Sequence, residues 1–237
     1  MIAGALLGGL AACAAPVAQG IDDPFEKENR ATHAFNVKLD QTLLRPFSGA
    51  GNAVPAEVWQ GVGNFADNLE APGEVVNSLL QLNIGAAVEN TLRFGLNTVV
   101  GLGGIFDPAS AIGVEGRRTD FGETLYFWGV EEGAYMELPV LGPSTQRDTL
   151  GMVVDYAINP VRLLVPKPER YINTAAQILS KVGDRSRYSA TFDSLLYDSA
   201  DSYAQARLLY LQNRRYQLGQ AAGEDSYVDP YEDPYAQ

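Results

Sequence analysis

The chain has 237 residues, 46% of them hydrophobic, which is enough apolar material for one large domain and excludes a wholly disordered polypeptide. Acidic side chains outnumber basic ones 29 to 17, a formal charge of -12, and no basic motif offsets it; a general grip on nucleic-acid phosphates is excluded. A single cysteine, Cys13, forms no internal disulfide, and a single histidine, His33, removes any multi-histidine metal site.

Residues 1–21 carry no charge. The apolar run from Ile2 to Leu10 is too short for an ordinary transmembrane helix and suits a signal-peptide core. It ends in Leu10-Ala11-Ala12-Cys13, small residues before a thiol, a pattern that resembles the bacterial lipobox. That resemblance implies cleavage between Ala12 and Cys13, a diacylglyceryl group on Cys13 as the lipid anchor, and, with Ala14 rather than Asp next, delivery to the outer membrane. Residues 1–12 are then a signal peptide and 13–21 a lipidated linker. No charged segment precedes the apolar run, so the true start is expected upstream.

Asp22-Asp23-Pro24 opens the folded part, with acids placed to cap free amides and a proline preset for a first turn. Phe25, Thr32, Phe35, Leu39 and Leu43 predict an amphipathic helix over 24–44. Pro55 starts a second helix with a stripe of Val58, Val62, Phe65 and Leu69, and Pro72 a third with Val75, Val76, Leu79 and Leu80. Ile84, Val88, Leu92, Leu96 and Val99 predict the most apolar helix over 84–100. Such stripes usually face a soluble core; contact with lipid is the rarer alternative.

Glycines interrupt every long helix between 101 and 143. Thr124 to Trp128 reads as a short strand or a buried loop, and Glu131-Glu132-Gly133 as a turn, so that a hairpin-like loop is expected over 125–139. Thr145 with Asp148 has capping-box spacing and opens a helix that ends before Pro160. Tyr171–Val182 is a further amphipathic helix, and Asp201-Ser202 caps a last one reaching about Leu218. The tail 219–237 holds five acids and no base and is expected to be disordered. The fold class is mainly α, one domain over 22–218.

Little here resembles a catalytic site. Gly101-Leu102-Gly103-Gly104 lacks the spacing and the βαβ context of a dinucleotide loop and reads as a bend between helices. His33 is expected to face solvent or a neighbour on its helix, and several acids sit where caps are wanted. The chain is read as a protein without enzymatic activity and without a cofactor or resident metal.

From Asp23-Pro24-Phe25-Glu26-Lys27-Glu28-Asn29-Arg30 onward, ordered blocks accumulate. They include Gly61-Val62-Gly63-Asn64-Phe65, Asn68-Leu69-Glu70-Ala71-Pro72, Leu96-Asn97-Thr98, Asp107-Pro108-Ala109, Asp120-Phe121-Gly122-Glu123-Thr124-Leu125 and Leu138-Pro139-Val140-Leu141-Gly142-Pro143-Ser144. Over residues 22–215 the chain resembles the MlaA (VacJ) family of outer-membrane lipoproteins. The resemblance implies a ring of short amphipathic helices embedded in the periplasmic leaflet of the outer membrane, around an amphipathic channel. It further implies removal of mislocalised phospholipid from the outer leaflet, hand-over to the periplasmic lipid carrier of the Mla system, and association with a trimeric porin. The 125–139 loop matches the family's hairpin beside the channel; Gly129 and Gly133 are candidate hinges, with Tyr135 and Pro139 in the same hairpin. Glu131-Glu132 stands where the family is richer in glycine and less charged. The competing expectation is a lipoprotein scaffold whose helices only bind other envelope proteins.

Overall fold

A computed structural model describes residues 21–46, 54–168 and 171–220. Ala12, Cys13 and the lipobox, together with the acidic tail beyond 220, lie outside the described residues. The described chain is mainly helical, with a small antiparallel hairpin.

Helix α1, Glu26–Leu39, continues into a π-helical turn, Asp40–Leu44. The expected acidic cap is not used: Phe25 occupies the cap position and makes no side-chain bond. Asp23 is engaged elsewhere, accepting from Asn29 at 2.8 Å and from Tyr203 and Arg207 of the last helix. Burial would raise the Asp23 carboxyl, but these donors outweigh it and hold it below its ordinary value.

Helix α2 runs unbroken over Ala56–Leu80, with Pro72 inside it, where two helices were expected. An internal proline costs about 3 kcal/mol through a lost hydrogen bond and ring crowding. Polar anchors on both sides of it favour one continuous element. Asn68 donates to Thr98 Oγ1 at 3.0 Å and to the Gly103 carbonyl at 3.2 Å, and Asn77 donates to Asp155 at 2.7 Å.

Helix α3 covers Ile84–Val99, capped by Asn83. The glycine-rich segment after it is a tight turn lying on α2: a side chain at Gly104 (φ +98°) would collide with the Asn68 side chain. Asp107 then caps a single turn, α4, Pro108–Ala111.

Thr124 to Trp128 lies not in a strand or loop but in helix α5, Phe121–Phe127, and its C-cap. Its ends decide this, not its aromatics. Asp120 accepts from Glu123 N–H at 2.7 Å at the start. At the finish Val130 N–H donates to Leu125 and Gly129 N–H to Tyr126, both at 2.9 Å, with Gly129 at φ +85°. With 121–127 helical, the hairpin forms further along than expected. Strand β1, Tyr135–Leu138, pairs forward with β2, Gly142–Thr145, in a register that sets Tyr135 opposite Thr145 and Leu138 opposite Gly142.

Thr145 caps α6, Gln146–Ile158, accepting from Asp148 N–H at 3.2 Å. The Asp148 carboxylate does not close the capping box; it is held by Tyr210 and Arg214 of the last helix. Then follow α7, Pro160–Leu164, α8, Tyr171–Arg187, α9, Ser189–Asp193, a second π-helical turn, Ser194–Asp198, and α10, Ser202–Gln217. As expected, Asp201 caps the last helix, accepting from Ala204 N–H at 3.0 Å. Helix α2 is the central element, packed against both α3 and α8.

The interior is polar and the exterior apolar. Most buried apolar residues are alanines; the main buried hydrophobic cluster is Tyr135, Tyr203 and Leu211, with Tyr210 against it. Asn77, Ser78, Asn90 and Thr124 are almost wholly enclosed. By contrast Ile84 is 58% exposed, Val88 and Leu92 are each 53%, and Val99 is 79%, so the stripe of α3 points away from the protein. Among the described residues no helix is long and apolar enough to cross a membrane.

Candidate functional site

On α2, Asp67, Glu70, Glu74 and Asn77 recur three and four residues apart and therefore share one face. That face borders three cavities. The largest, about 680 Å³, lies between α2 and α8. A second, about 370 Å³, lies between α2, α6 and the start of α8, and a third, about 50 Å³, between α2, α3 and residues 115–118. They share walls: Glu70 and Gln177 line the first two, Asp67 and Arg118 the first and third, and Glu74 the second and third. Together they form a lumen along the polar face of α2, apolar on its far side at Leu141, Met152 and Ile158.

Small residues set its width. At Gly183 of α8 a side chain would come within 2.7 Å of the Trp59 ring, so the glycine lets the two helices touch at that end. Interior hydrogen bonds hold the remaining walls. Gln81 donates to Thr119 at 2.7 Å and Thr124 at 2.9 Å, and Thr124 donates to Asn77 at 3.0 Å. Asn90 holds the Arg117 backbone at both ends, accepting at 2.8 Å and donating at 2.9 Å. Arg93 and Asn97 of α3 clasp Asp107 at 2.6 and 2.9 Å; the Ser110 hydroxyl, donating at 2.7 Å, with Asn97 and then Arg93, keeps its carboxyl low despite burial.

Charges on the lumen walls are incompletely matched. Asp67 pairs with Arg118, yet burial prevails and raises its carboxyl. Burial and the neighbouring Asp67 raise Glu70, whose side chain opens on the lumen although protein surrounds it. Burial together with Glu70 pushes Glu74 up to about 7. Among the described residues neither Glu70 nor Glu74 has an ion-pair or side-chain hydrogen-bond partner; on the facing wall the same holds for Lys181 and Arg187 of α8.

The structure puts the candidate hairpin residues beside this lumen rather than in its walls. Gly129 follows α5 in open space, whereas a side chain at Gly133 (φ +68°) would lie 2.7 Å from Gln146 Oε1. Tyr135 is buried and donates to Glu137 at 2.5 Å. Pro139 stands in the connection between the strands, and Leu141, two residues on, lines the 370 Å³ cavity. Asn36 of α1 holds that connection, donating to the Leu138 carbonyl at 3.0 Å and accepting from Val140 N–H at 2.7 Å. His33 is buried against it, 3.3 Å from Glu137 Oε1 and 3.1 Å from Ser202 Oγ. A channel's location was expected, but its lining residues were not. Their spacing of three and four marked a polar helix face, which on an ordinary surface helix means only contact with water.

Comparison with known proteins gives a consistent result. The family model described as MlaA lipoprotein matches residues 21–217. The chain is 35% identical over 231 residues to the intermembrane phospholipid transport system lipoprotein MlaA of Escherichia coli K12, covering 92% of this chain and 85% of that protein. It is 32% identical to the protein of the same name from Haemophilus influenzae Rd, over 83% of this chain and 79% of that one. An uncharacterized Rickettsia typhi protein is 36% identical over 78% and 73%. A solved chain, from work on the structural basis for maintenance of bacterial outer membrane lipid asymmetry, superposes with a TM-score of 0.70 at 31% identity. It covers 83% of this chain and 98% of its own length.

Proposed function

The chain belongs to the MlaA lipoprotein family, and on that footing we propose that it is an outer-membrane lipoprotein which removes mislocalised phospholipids from the outer leaflet and maintains lipid asymmetry. One observation carries the reading: a lumen with a polar, charged wall along α2 inside a shell of outward-facing apolar helix stripes. A phospholipid headgroup needs polar partners and its tails need hydrocarbon; a ring that is wet inside and greasy outside offers both. No covalent step is required of it.

In this reading cleavage after Ala12 leaves Cys13 acylated, and the acyl chains hold the protein in the periplasmic leaflet, each buried methylene contributing about 0.8 kcal/mol. The lipid enters through the lumen and passes to the periplasmic carrier of the Mla system for retrograde transport, with a trimeric porin as membrane partner. The segment with Gly129, Gly133, Tyr135 and Pro139 acts as the gate, since Leu141 at its tip already borders the lumen. Gly133→Pro, at a position of φ +68° that proline does not adopt, is expected to impair lipid export; unimpaired export removes the hinge.

Mass spectrometry of protein purified from membranes of its native host tests anchor and cargo together. The expected result is an acylated Cys13 and co-purified phospholipid. An unmodified Cys13 refutes the anchor, and the absence of bound phospholipid points to a scaffold role instead.

A further inference from the structure

The two larger cavities meet at two side chains: of the residues that line them, only Glu70 of α2 and Gln177 of α8 are common to both. Side-chain length along the two helices singles out the same level. Positions 63, 66, 70, 73 and 77 of α2 lie three and four apart on one face and read Gly, Ala, Glu, Gly, Asn. Glu70 is the long side chain on that line, with Ala66 a turn before it and Gly73 a turn after. Beside the line, Asp67 is drawn to Arg118, and Glu74 borders the second and third cavities but not the largest. On α8 the order Thr174, Gln177, Ser180 repeats the pattern, a long amide between two short hydroxyl side chains. Gln177 is also held in place, its Nε2 donating to Oδ1 of the buried Asn173 at 3.0 Å. The chambers on either side differ. The larger, about 680 Å³, carries charges of both signs, among them Asp67, Arg118, Lys181 and Asp184, whereas the smaller, about 370 Å³, has the apolar far wall of Leu141, Met152 and Ile158.

We propose that Glu70 and Gln177 form a neck between the two chambers and that Gln177 sets the size of headgroup the lumen passes. The inference rests on the transport reading and names a residue that determines its specificity. A small headgroup, ethanolamine or glycerol, passes between the two side chains; a ring such as inositol is held back until one of them is shortened. Both side chains end in polar groups, and the Gln177 amide both donates and accepts, so a headgroup keeps hydrogen-bond partners at the narrowest point and does not pay full desolvation there. Selection is by cross-section rather than by charge, in keeping with the mixed signs around the larger chamber.

The test places full-length, lipidated protein in liposomes holding equal amounts of chain-matched phosphatidylglycerol and phosphatidylinositol. The lipid taken up by the purified periplasmic carrier of the Mla system is read by mass spectrometry, with protein-free liposomes as baseline. Both lipids carry a single negative charge, so their ratio reports size. Gln177→Ala is expected to shift that ratio about tenfold toward phosphatidylinositol, within what a shaped pocket achieves by size alone. Gln177→Trp is expected to slow the uptake of both lipids about tenfold. The carrier is the same in each arm, so a change in the ratio belongs to the lumen. A ratio unchanged by Gln177→Ala, or uptake at the wild-type rate through Gln177→Trp, overturns the neck while leaving transport intact. No protein-dependent uptake with wild type overturns the transport reading and this one with it. If Gln177→Trp fails to fold, as its unfolding midpoint in detergent shows, Gln177→Ala decides alone: a merely structural loss of the Asn173 bond lowers the uptake of both lipids without moving their ratio.

Discussion

Arg214 is the side chain on which several elements depend. Lying in α10, it reaches the cap of α5 through Asp120 and the first turn of α6 through Asp148. Arg214→Ala removes the cation that Asp120 and Asp148 share and leaves Asp148 only Arg147, at 3.4 Å, as a cationic partner; the expected loss is about 3 kcal/mol, read as a lower unfolding midpoint in detergent. The same group sets a pH dependence. Burial would raise Asp148, but Arg214, with Tyr210, holds it below its ordinary value of 3.8. A depressed carboxyl stabilises the fold fully above that value and ceases to do so as the pH falls through its lower, folded value. The Asp148 contribution is therefore expected to be lost only below about pH 4, and Arg214→Ala to reduce that loss. At this scale the sequence was partly legible. Thr145 and Asp201 read correctly as caps because capping is local. Asp23 did not, since its partners Tyr203 and Arg207 lie about 180 residues away and no local pattern announces them.

For the helices, periodicity carried the reading where hydrophobic spacing was regular and failed where end signals or tertiary anchors decided. The predicted 84–100 helix is found as Ile84–Val99. Pro72 was read as a start because proline favours first turns, but Asn68 and Asn77 fix the chain on either side of it. The aromatic run from Thr124 to Trp128 was read by composition, whereas Asp120 and Gly129 determine its conformation. A period also says nothing about which way a stripe points. On α3 it points outward, and that orientation is testable. Val88→Lys/Leu92→Lys puts two charges on the exposed stripe, each costing about 2.5–3.5 kcal/mol where the helix meets hydrocarbon. The double variant is expected to keep its unfolding midpoint in detergent and to float poorly with liposomes. A lowered midpoint with unchanged flotation means that the stripe packs against protein.

In the whole molecule, the reversal of polarity connects the parts: alanines and asparagines inside, aliphatic residues outside, and a charged lumen along α2. Composition did not reveal it, because 46% hydrophobic content suits a soluble domain equally well. The blocks that resemble the family carried that information instead, and they fall on residues that hold this structure together, among them the buried Asn68 and Asn97 and the half-buried Asp107 and Asp120. Lipid distribution in the living outer membrane tests the central claim most directly. Deleting the gene is expected to increase surface-exposed phospholipid in the outer leaflet, and expressing the wild-type chain to restore asymmetry. Outer-leaflet composition unchanged by the deletion contradicts the account.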